Sequence, residues 1–352
     1  MSELRVAVIP GDGIGVDVTA EAVKALTAAA DAAGRSIRMT PFDWGAERFL
    51  RTGVTLPPDA LGMLQQEFDA ILLGAMGDPR VPDNRHAAEI LLGMRFKLDL
   101  YVNYRPVRLL HEKLCPLKDV ALSAVDFTVF RENTEGLYVM MGGNFKKDTP
   151  DEVATEVDVN TRKGVERIIR HAFEFAQRTG RSKVVMADKS NVLIHAHGLW
   201  QRTYRAVAAE YPGIEAIHLY ADNLALQMIR RPSQFQVIVT CNMFGDIVTD
   251  LGAALQGGLG MAASGNIHPG RLSMFEPIHG SAPKYAGTNT ANPMGAILTA
   301  ALMLEHVGWA EEANRVEAAV KWAVATDAST SDIGGRLGTR EVGDAIAARL
   351  RG

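Results

Sequence analysis

Asp246 and Asp250 lie four residues apart in Cys241-Asn-Met-Phe-Gly-Asp-Ile-Val-Thr-Asp250, directly after the apolar run Phe235-Gln-Val-Ile-Val-Thr240. A strand-to-helix turn there stacks both carboxylates on one helical face at the carboxyl end of a strand, where open α/β sheets place ligands. Two acids so close repel unless a cation joins them. Hard oxygen donors at this spacing favour Mg²⁺ or Mn²⁺ with coordination positions left open for a substrate. A solvated acidic helix face is the competing reading. Asp222, in Tyr220-Ala-Asp-Asn-Leu, is either a third carboxylate for the cation or a helix N-cap.

Cations and proton carriers surround this motif in the sequence. Arg95, Arg105 and Arg131 stand at the ends of expected elements, and three guanidinium groups so placed can clamp a substrate with two carboxylates. Taken singly, each is more often a surface or salt-bridge residue. Lys189 follows the strand-like Val184 to Asp188, where a nearby metal would lower its pKa into a useful range for proton transfer. Tyr138 is a second proton carrier, or a packing residue of its segment. Gly11-Asp-Gly-Ile-Gly15 follows the first strand and opens a helix, a form that suits anion binding but lacks the G-x-G-x-x-G spacing. Phe275 to Tyr285 crowds Gly, Ser, Ala and Pro around His279, as expected of a loop lying along a flat or phosphorylated ligand.

Short β-branched runs alternate with helical patterns: Arg5 to Ile9 then Val16 to Ala33, Ala70 to Leu73 then Ala87 to Leu98, and Lys183 to Met186 then Leu199 to Tyr211. That alternation is an α/β signature. The stretch from Asp126 to Asp158 breaks it and is expected to form a hairpin or projecting arm rather than a core layer, able to pair across a two-fold axis. With 352 residues, two subdomains are the expectation. A net charge of -4, from 37 basic and 41 acidic side chains, gives no polyelectrolyte reason for a nucleic-acid or membrane partner. Cys115 and Cys241, the only two cysteines, are expected to be reduced core thiols. The chain enters a strand pattern at once and holds no apolar run of membrane length, so a cytoplasmic enzyme acting on a small molecule is expected.

Taken together, Gly11-Asp-Gly-Ile-Gly15, Asn103-Tyr-Arg-Pro106, Arg131-Glu-Asn-Thr-Glu-Gly136, Asp188-Lys-Ser-Asn191, Asn242 to Asp250 and Glu276-Pro-Ile-His-Gly-Ser-Ala-Pro283 resemble the β-decarboxylating dehydrogenases. This group includes enzymes acting on isopropylmalate, isocitrate, homoisocitrate, tartrate and D-malate. The resemblance runs from Val6 to the Gly334-Gly335 region. It implies an isocitrate/isopropylmalate dehydrogenase-like fold rather than a Rossmann fold: two α/β subdomains sharing a long twisted sheet. Residues 1–102 and 258–352 would form the nucleotide-binding subdomain, and 103–257 the second, which dimerises through helices and a β arm.

The same resemblance implies that Arg95, Arg105 and Arg131 hold the substrate carboxylates, beside Leu91 and Leu92. Asp246 and Asp250 would bind Mg²⁺ or Mn²⁺, with Asp222 and Lys189 contributed by the partner subunit of a homodimer. Lys189 would take the hydroxyl proton of a 2-hydroxy dicarboxylate and Tyr138 would protonate carbon after CO₂ leaves. Ile14, Glu276, His279, Gly280, Ser281, Ala282, Lys284, Tyr285 and Asn292 would line the nucleotide. Leu91-Leu92 suit the isopropyl group of 3-isopropylmalate, whose oxidative decarboxylation to 4-methyl-2-oxopentanoate is a step of leucine biosynthesis. Tartrate, D-malate and homoisocitrate stay open, because Ala88 stands where many isopropylmalate enzymes carry glutamate, and Glu89 comes one residue late. Lys284-Tyr285, in place of an acid, suits the 2'-phosphate of NADP, while Asp332 to Arg336 resembles NAD-using relatives. A catalytically silent regulatory subunit is the alternative from another class, opposed by intact Tyr138, Lys189, Asp246 and Asp250. A metal-free Rossmann hydroxy-acid dehydrogenase is the remaining enzyme alternative.

Overall fold

A computed structural model describes residues 3–352. The chain opens with β1 (Leu4–Gly11), α1 (Ile14–Ala32), β2 (Ile37–Pro41), α2 (Ala46–Thr52), α3 (Ala60–Glu67) and β3 (Ala70–Ala75). A broken helix follows, made of α4 (Arg85–Ala87), a π-helical turn (Ala88–Leu92) and α5 (Gly93–Lys97), and then β4 (Val102–Arg108). Next come β5 (Asp126–Glu132), β6 (Gly142–Phe145), β7 (Val153–Glu156), α6 (Arg162–Arg178), β8 (Lys183–Asp188) and α7 (Ala196–Ala208). After β9 (Glu215–Tyr220), α8 (Ala221–Arg230), β10 (Val237–Thr240) and α9 (Asn242–Leu255), the chain ends with β11 (Ala263–Ile267), β12 (Met274–Pro277), α10 (Met294–His306), α11 (Ala310–Ala325) and α12 (Thr339–Arg351).

Two compact units form. One comprises the residues up to Leu100 with 106–122 and 253–352, the other 101–105 with 123–252. Segment 106–122, expected in the middle subdomain, therefore belongs with the chain ends. The amide of Arg108 donates to Gln256 Oε1 at 2.9 Å, and Leu114 packs where a Cβ on Gly257 would come within 3.3 Å. β4 and α9 each contribute residues to both units.

In the first unit the strands run in the order β2-β1-β3-β12-β11. β1 pairs in parallel with β2 and β3, β12 with β3, and β11 is antiparallel to β12. All six residues of β3 are buried, as expected of a strand covered on both faces. Ile71, Leu73, Ile9, Phe68, Leu64 and Met94 share one apolar core. The second unit holds four parallel strands, β5-β10-β8-β9. α6 covers them because Val165, Ile168, Ile169, Ala172, Phe173 and Ala176 recur at helical spacing, and all are buried. The hydroxyl of Thr161 caps this helix by accepting the amide of Gly164 at 3.0 Å.

Two expectations are corrected. Asp126–Glu132 is not part of an arm: β5 pairs in register with β10, and Phe127 to Glu132 are buried. The arm is confined to the antiparallel hairpin β6–β7, all of whose strand residues are exposed. Its Gly142, Gly143 and Asn144 could not fill a core layer, whereas Phe127, Val129 and Phe130 could. Cys241 is buried, which pushes its thiol up to about 12, but Cys115 is only partly buried and is not a core residue.

Candidate active site

Arg131 projects from β5 and Asp246 from the second turn of α9. Nη1 of Arg131 meets Oδ1 of Asp246 at 2.5 Å, while Nε and Nη2 both donate to Asn242 Oδ1 at 3.0 and 2.7 Å. Arg105, from β4, donates through Nη1 to the hydroxyl of Thr249 at 2.5 Å and reaches Asp246 Oδ1 through Nη2 at 3.5 Å. Both arginines are buried, and a buried guanidinium is stable only with such partners. The phenol of Tyr138 donates to the other Asp246 oxygen at 3.1 Å, and the Arg131 guanidinium lies 5.4 Å from the centre of its ring. One carboxylate thus gathers two arginines and a phenol.

Gly245 makes this possible. A Cβ there would stand 2.4 Å from Arg131 Cγ, so the side chain could not run along α9 past any other residue. Neither Gly245 nor the anchors Asn242 and Thr249 were singled out by sequence reasoning. The signal was present, since all three lie within the acidic motif itself.

Asp250 is exposed, yet its carboxyl is pushed up. Desolvation by surrounding protein is the largest cause; Arg105 pulls the other way and the charge of Asp246 pushes up again. Burial, with Asp246 beside it, likewise raises the Tyr138 phenol. The two acids, one turn apart on α9, are hard oxygen donors, a set that fits Mg²⁺ or Mn²⁺. Asp222 lies elsewhere on the chain, at the start of α8, where Lys189 Nζ donates to it at 2.6 Å and holds its carboxyl below the usual range. Among the described residues, no three His, Cys, Asp or Glu side chains gather at one point suited to a metal. Asp222, Asp246 and Asp250 are thus not brought together within a single chain.

The remaining expected site residues lie in the first unit. Arg95 Nη2 donates to Glu276 Oε1 at 2.6 Å, and Asn266 Nδ2 reaches the same oxygen at 2.8 Å. Leu91 packs on the unit's apolar core, and Leu92 is half-buried. Glu89 accepts the hydroxyl of Thr55 at 2.5 Å. It sits inside the π turn, which inserts one residue into the helix and changes which face each side chain occupies.

The glycine turn and the His279 loop pack against each other. The amide of Ile14 donates to Ser281 O at 2.8 Å, and a Cβ on Gly13 would stand 2.1 Å from that oxygen. Asp12, which breaks the dinucleotide fingerprint, is buried and accepts from the amides of Ala46 and Gly77 at 2.6 and 2.8 Å and from His86 Nε2 at 2.9 Å. Its role is to set the turn. Asp17 Oδ2 accepts the amide of Gly287 at 2.8 Å, and Asn292 Nδ2 donates to Asp332 at 3.0 Å. Ala282 adopts a left-handed φ of 36°, leaving Gly280, Lys284 and Tyr285 exposed, with Lys284 Nζ 4.6 Å from the centre of the Tyr285 ring. Burial lowers the pKa of His279, whose Nε2 is buried without a hydrogen-bond partner. Small residues, bare backbone and an unsatisfied ring nitrogen fit a planar, phosphorylated ligand.

The chain belongs to the isocitrate/isopropylmalate dehydrogenase family, whose description matches residues 5–346. Within it, the chain is similar to the 3-isopropylmalate dehydrogenase of Corynebacterium kroppenstedtii, 50% identical over 350 residues and covering 99% of each chain. The 3-isopropylmalate dehydrogenase of Thermobifida fusca is 47% identical over 349 residues, covering 99% of this chain and 98% of the other. Among solved structures, isocitrate dehydrogenase from Methylococcus capsulatus superposes with a TM-score of 0.88 at 36% identity, covering 99% of this chain and 100% of that one.

Proposed function

We propose that this protein oxidatively decarboxylates 3-isopropylmalate to 4-methyl-2-oxopentanoate and CO₂, with NAD or NADP and Mg²⁺ or Mn²⁺, as a homodimer in the cytoplasm. The convergence of Arg105, Arg131 and Tyr138 on Asp246 carries this reading: cations for substrate carboxylates stand beside a metal-type oxygen donor and a proton source. Relatives at 47 to 50% identity named 3-isopropylmalate dehydrogenase support that substrate over isocitrate, whose solved enzyme is 36% identical.

When bound, the cation would polarise the substrate's hydroxyl and new carbonyl, and the nicotinamide would accept hydride. Asp246 and Asp250 would hold the ion, and Arg95, Arg105 and Arg131 would orient the carboxylates. Lys189 takes the hydroxyl proton. Tyr138, kept as a neutral phenol by its raised pKa, delivers a proton to carbon after CO₂ departs.

Two features support a shared site. Asp222 pairs with Lys189 at the start of α8 and, among the described residues, belongs to no group of three His, Cys, Asp or Glu side chains suited to a metal. Met140, Met141, Phe145, Val153 and Ile247 are exposed apolar residues suited to a second copy. Lys284 and Tyr285, exposed beside Ala282, favour NADP, while the Asp332 contact to Asn292 leaves NAD open. The test is a panel of 3-isopropylmalate, isocitrate, homoisocitrate, D-malate and tartrate, each with NAD and NADP and with Mn²⁺. Preference for 3-isopropylmalate, lost on chelation, is expected. Equal rates on tartrate would discard the apolar pocket, and full activity without divalent metal would discard the mechanism.

A further inference from the structure

Lys189 is gripped by its backbone rather than by its side chain alone. Its amide donates to Nδ1 of His197 at 2.8 Å. An amide can only donate, so Nδ1 is the bare nitrogen and the ring proton sits on Nε2. Nε2 faces Asp158 Oδ2 at 3.6 Å, long for a hydrogen bond but close enough for a charge to attract the N–H dipole. Facing that imidazole holds the Asp158 carboxyl below the usual range, against the opposing effect of burial.

Asp158 is itself braced. Its Oδ1 accepts Asn160 Nδ2 at 2.7 Å, and Asn160 Oδ1 accepts the Trp200 indole N–H at 2.7 Å. His197 and Trp200 are both buried on α7, and the His197 ring stands edge-on to Phe244 with centres 5.6 Å apart. On the other side of Lys189, Asp188 Oδ1 accepts the Ser190 amide and His218 Nε2, each at 2.9 Å. The Lys189 carbonyl accepts the amides of Val192 and Leu193 at 3.0 and 2.8 Å.

We infer that His197 is a positioning residue for Lys189: in the Nε2–H form selected by Asp158, it clamps the lysine backbone and links it to the root of the β6–β7 hairpin, two residues past β7. The inference rests on the reading of Lys189 as the proton carrier. Nothing in it requires His197 to touch substrate. Its leverage is geometric, because a displacement of about 1 Å at a reacting group can cost about 100-fold in rate.

The test compares His197→Ala, His197→Asn and Lys189→Met in the full-length protein with 3-isopropylmalate and saturating Mn²⁺. Asn places an amide oxygen near the position of Nδ1, so it can still accept the Lys189 amide. His197→Ala is expected to lower kcat by about 10- to 100-fold with KM within about two-fold, and His197→Asn to recover most of that loss. Wild-type kcat in His197→Ala, or equal losses in Ala and Asn, would overturn the inference while an inactive Lys189→Met left the catalytic reading standing. An active Lys189→Met would overturn both. Should His197→Ala fail to fold, the imidazole ¹⁵N spectrum of the wild type decides: an Nδ1–H ring at His197 rules the clamp out.

Discussion

Gly245→Ala tests the site at its narrowest point. The new methyl carbon would lie 2.4 Å from Cγ, 2.6 Å from Cβ and 3.0 Å from Cδ of Arg131. These atoms are the root of a buried side chain, not a flexible tip, so either α9 shifts or Arg131 leaves its place. Overpacking of this kind costs about 1–3 kcal/mol. A displaced guanidinium also gives up its bonds to Asn242 and Asp246, and a hydrogen bond to a charged group is worth about 1.5–3 kcal/mol. If a single such contact to a substrate carboxylate is lost in the transition state, kcat/KM falls by about 10- to 100-fold. Steady-state kinetics with 3-isopropylmalate, together with thermal unfolding, measures both terms. Gly62→Ala is the control: it lies in α3 with no atom within 4 Å of the added carbon, and should be neutral or stabilising by up to about 1 kcal/mol. Gly245→Ala with wild-type kcat/KM and stability would refute the placement of Arg131 along α9.

Tyr138→Phe should lower kcat by about 100-fold or more with little change in thermal stability, since it removes a proton donor and one hydrogen bond. A general acid works while protonated, and this phenol is raised by burial and by Asp246; the alkaline limb of kcat in the wild type should therefore lie above the ordinary tyrosine range of about 10. A limb near neutrality that vanishes in Tyr138→Phe would contradict this assignment. Asp246→Asn should abolish the rise in thermal midpoint that Mn²⁺ gives the wild type, a stabilisation of about 2.7 kcal/mol at a hundred times Kd; a retained rise would remove Asp246 from the ligand set. Lys284→Asp should lower the NADP-to-NAD ratio of kcat/KM, and an unchanged ratio would dissociate Lys284 from nucleotide choice.

Local patterns carried the parts of this protein that depend on near neighbours. The acid pair four residues apart does fall on one helix, α9, directly after β10, because period and strand-end placement are properties of ten consecutive residues. The alternation of strands and helices was equally readable, with boundaries displaced by only a few residues, as when α1 starts at Ile14 rather than Val16. Where local pattern misled, a longer-range pairing intervened. Asp126–Glu132 looks like an arm in isolation and becomes a buried strand once β10 lies beside it.

What the amino-acid order determined by itself was the inventory: an acid pair spaced for a cation, three candidate arginines, two candidate proton carriers, a small-residue loop and an α/β rhythm. Tertiary structure decided which of these act together. Arg105 and Arg131 meet on Asp246 across more than 100 residues of chain, Arg95 is engaged by Glu276, and Asp12 turns out to brace a loop rather than spoil a motif. The clamp from Asp158 through His197 to Lys189 has no signature in sequence at all. The reason is physical: helix and strand periods are set by the backbone within a few residues, whereas a side-chain contact between distant segments exists only after sheet register and helix packing have chosen their separation.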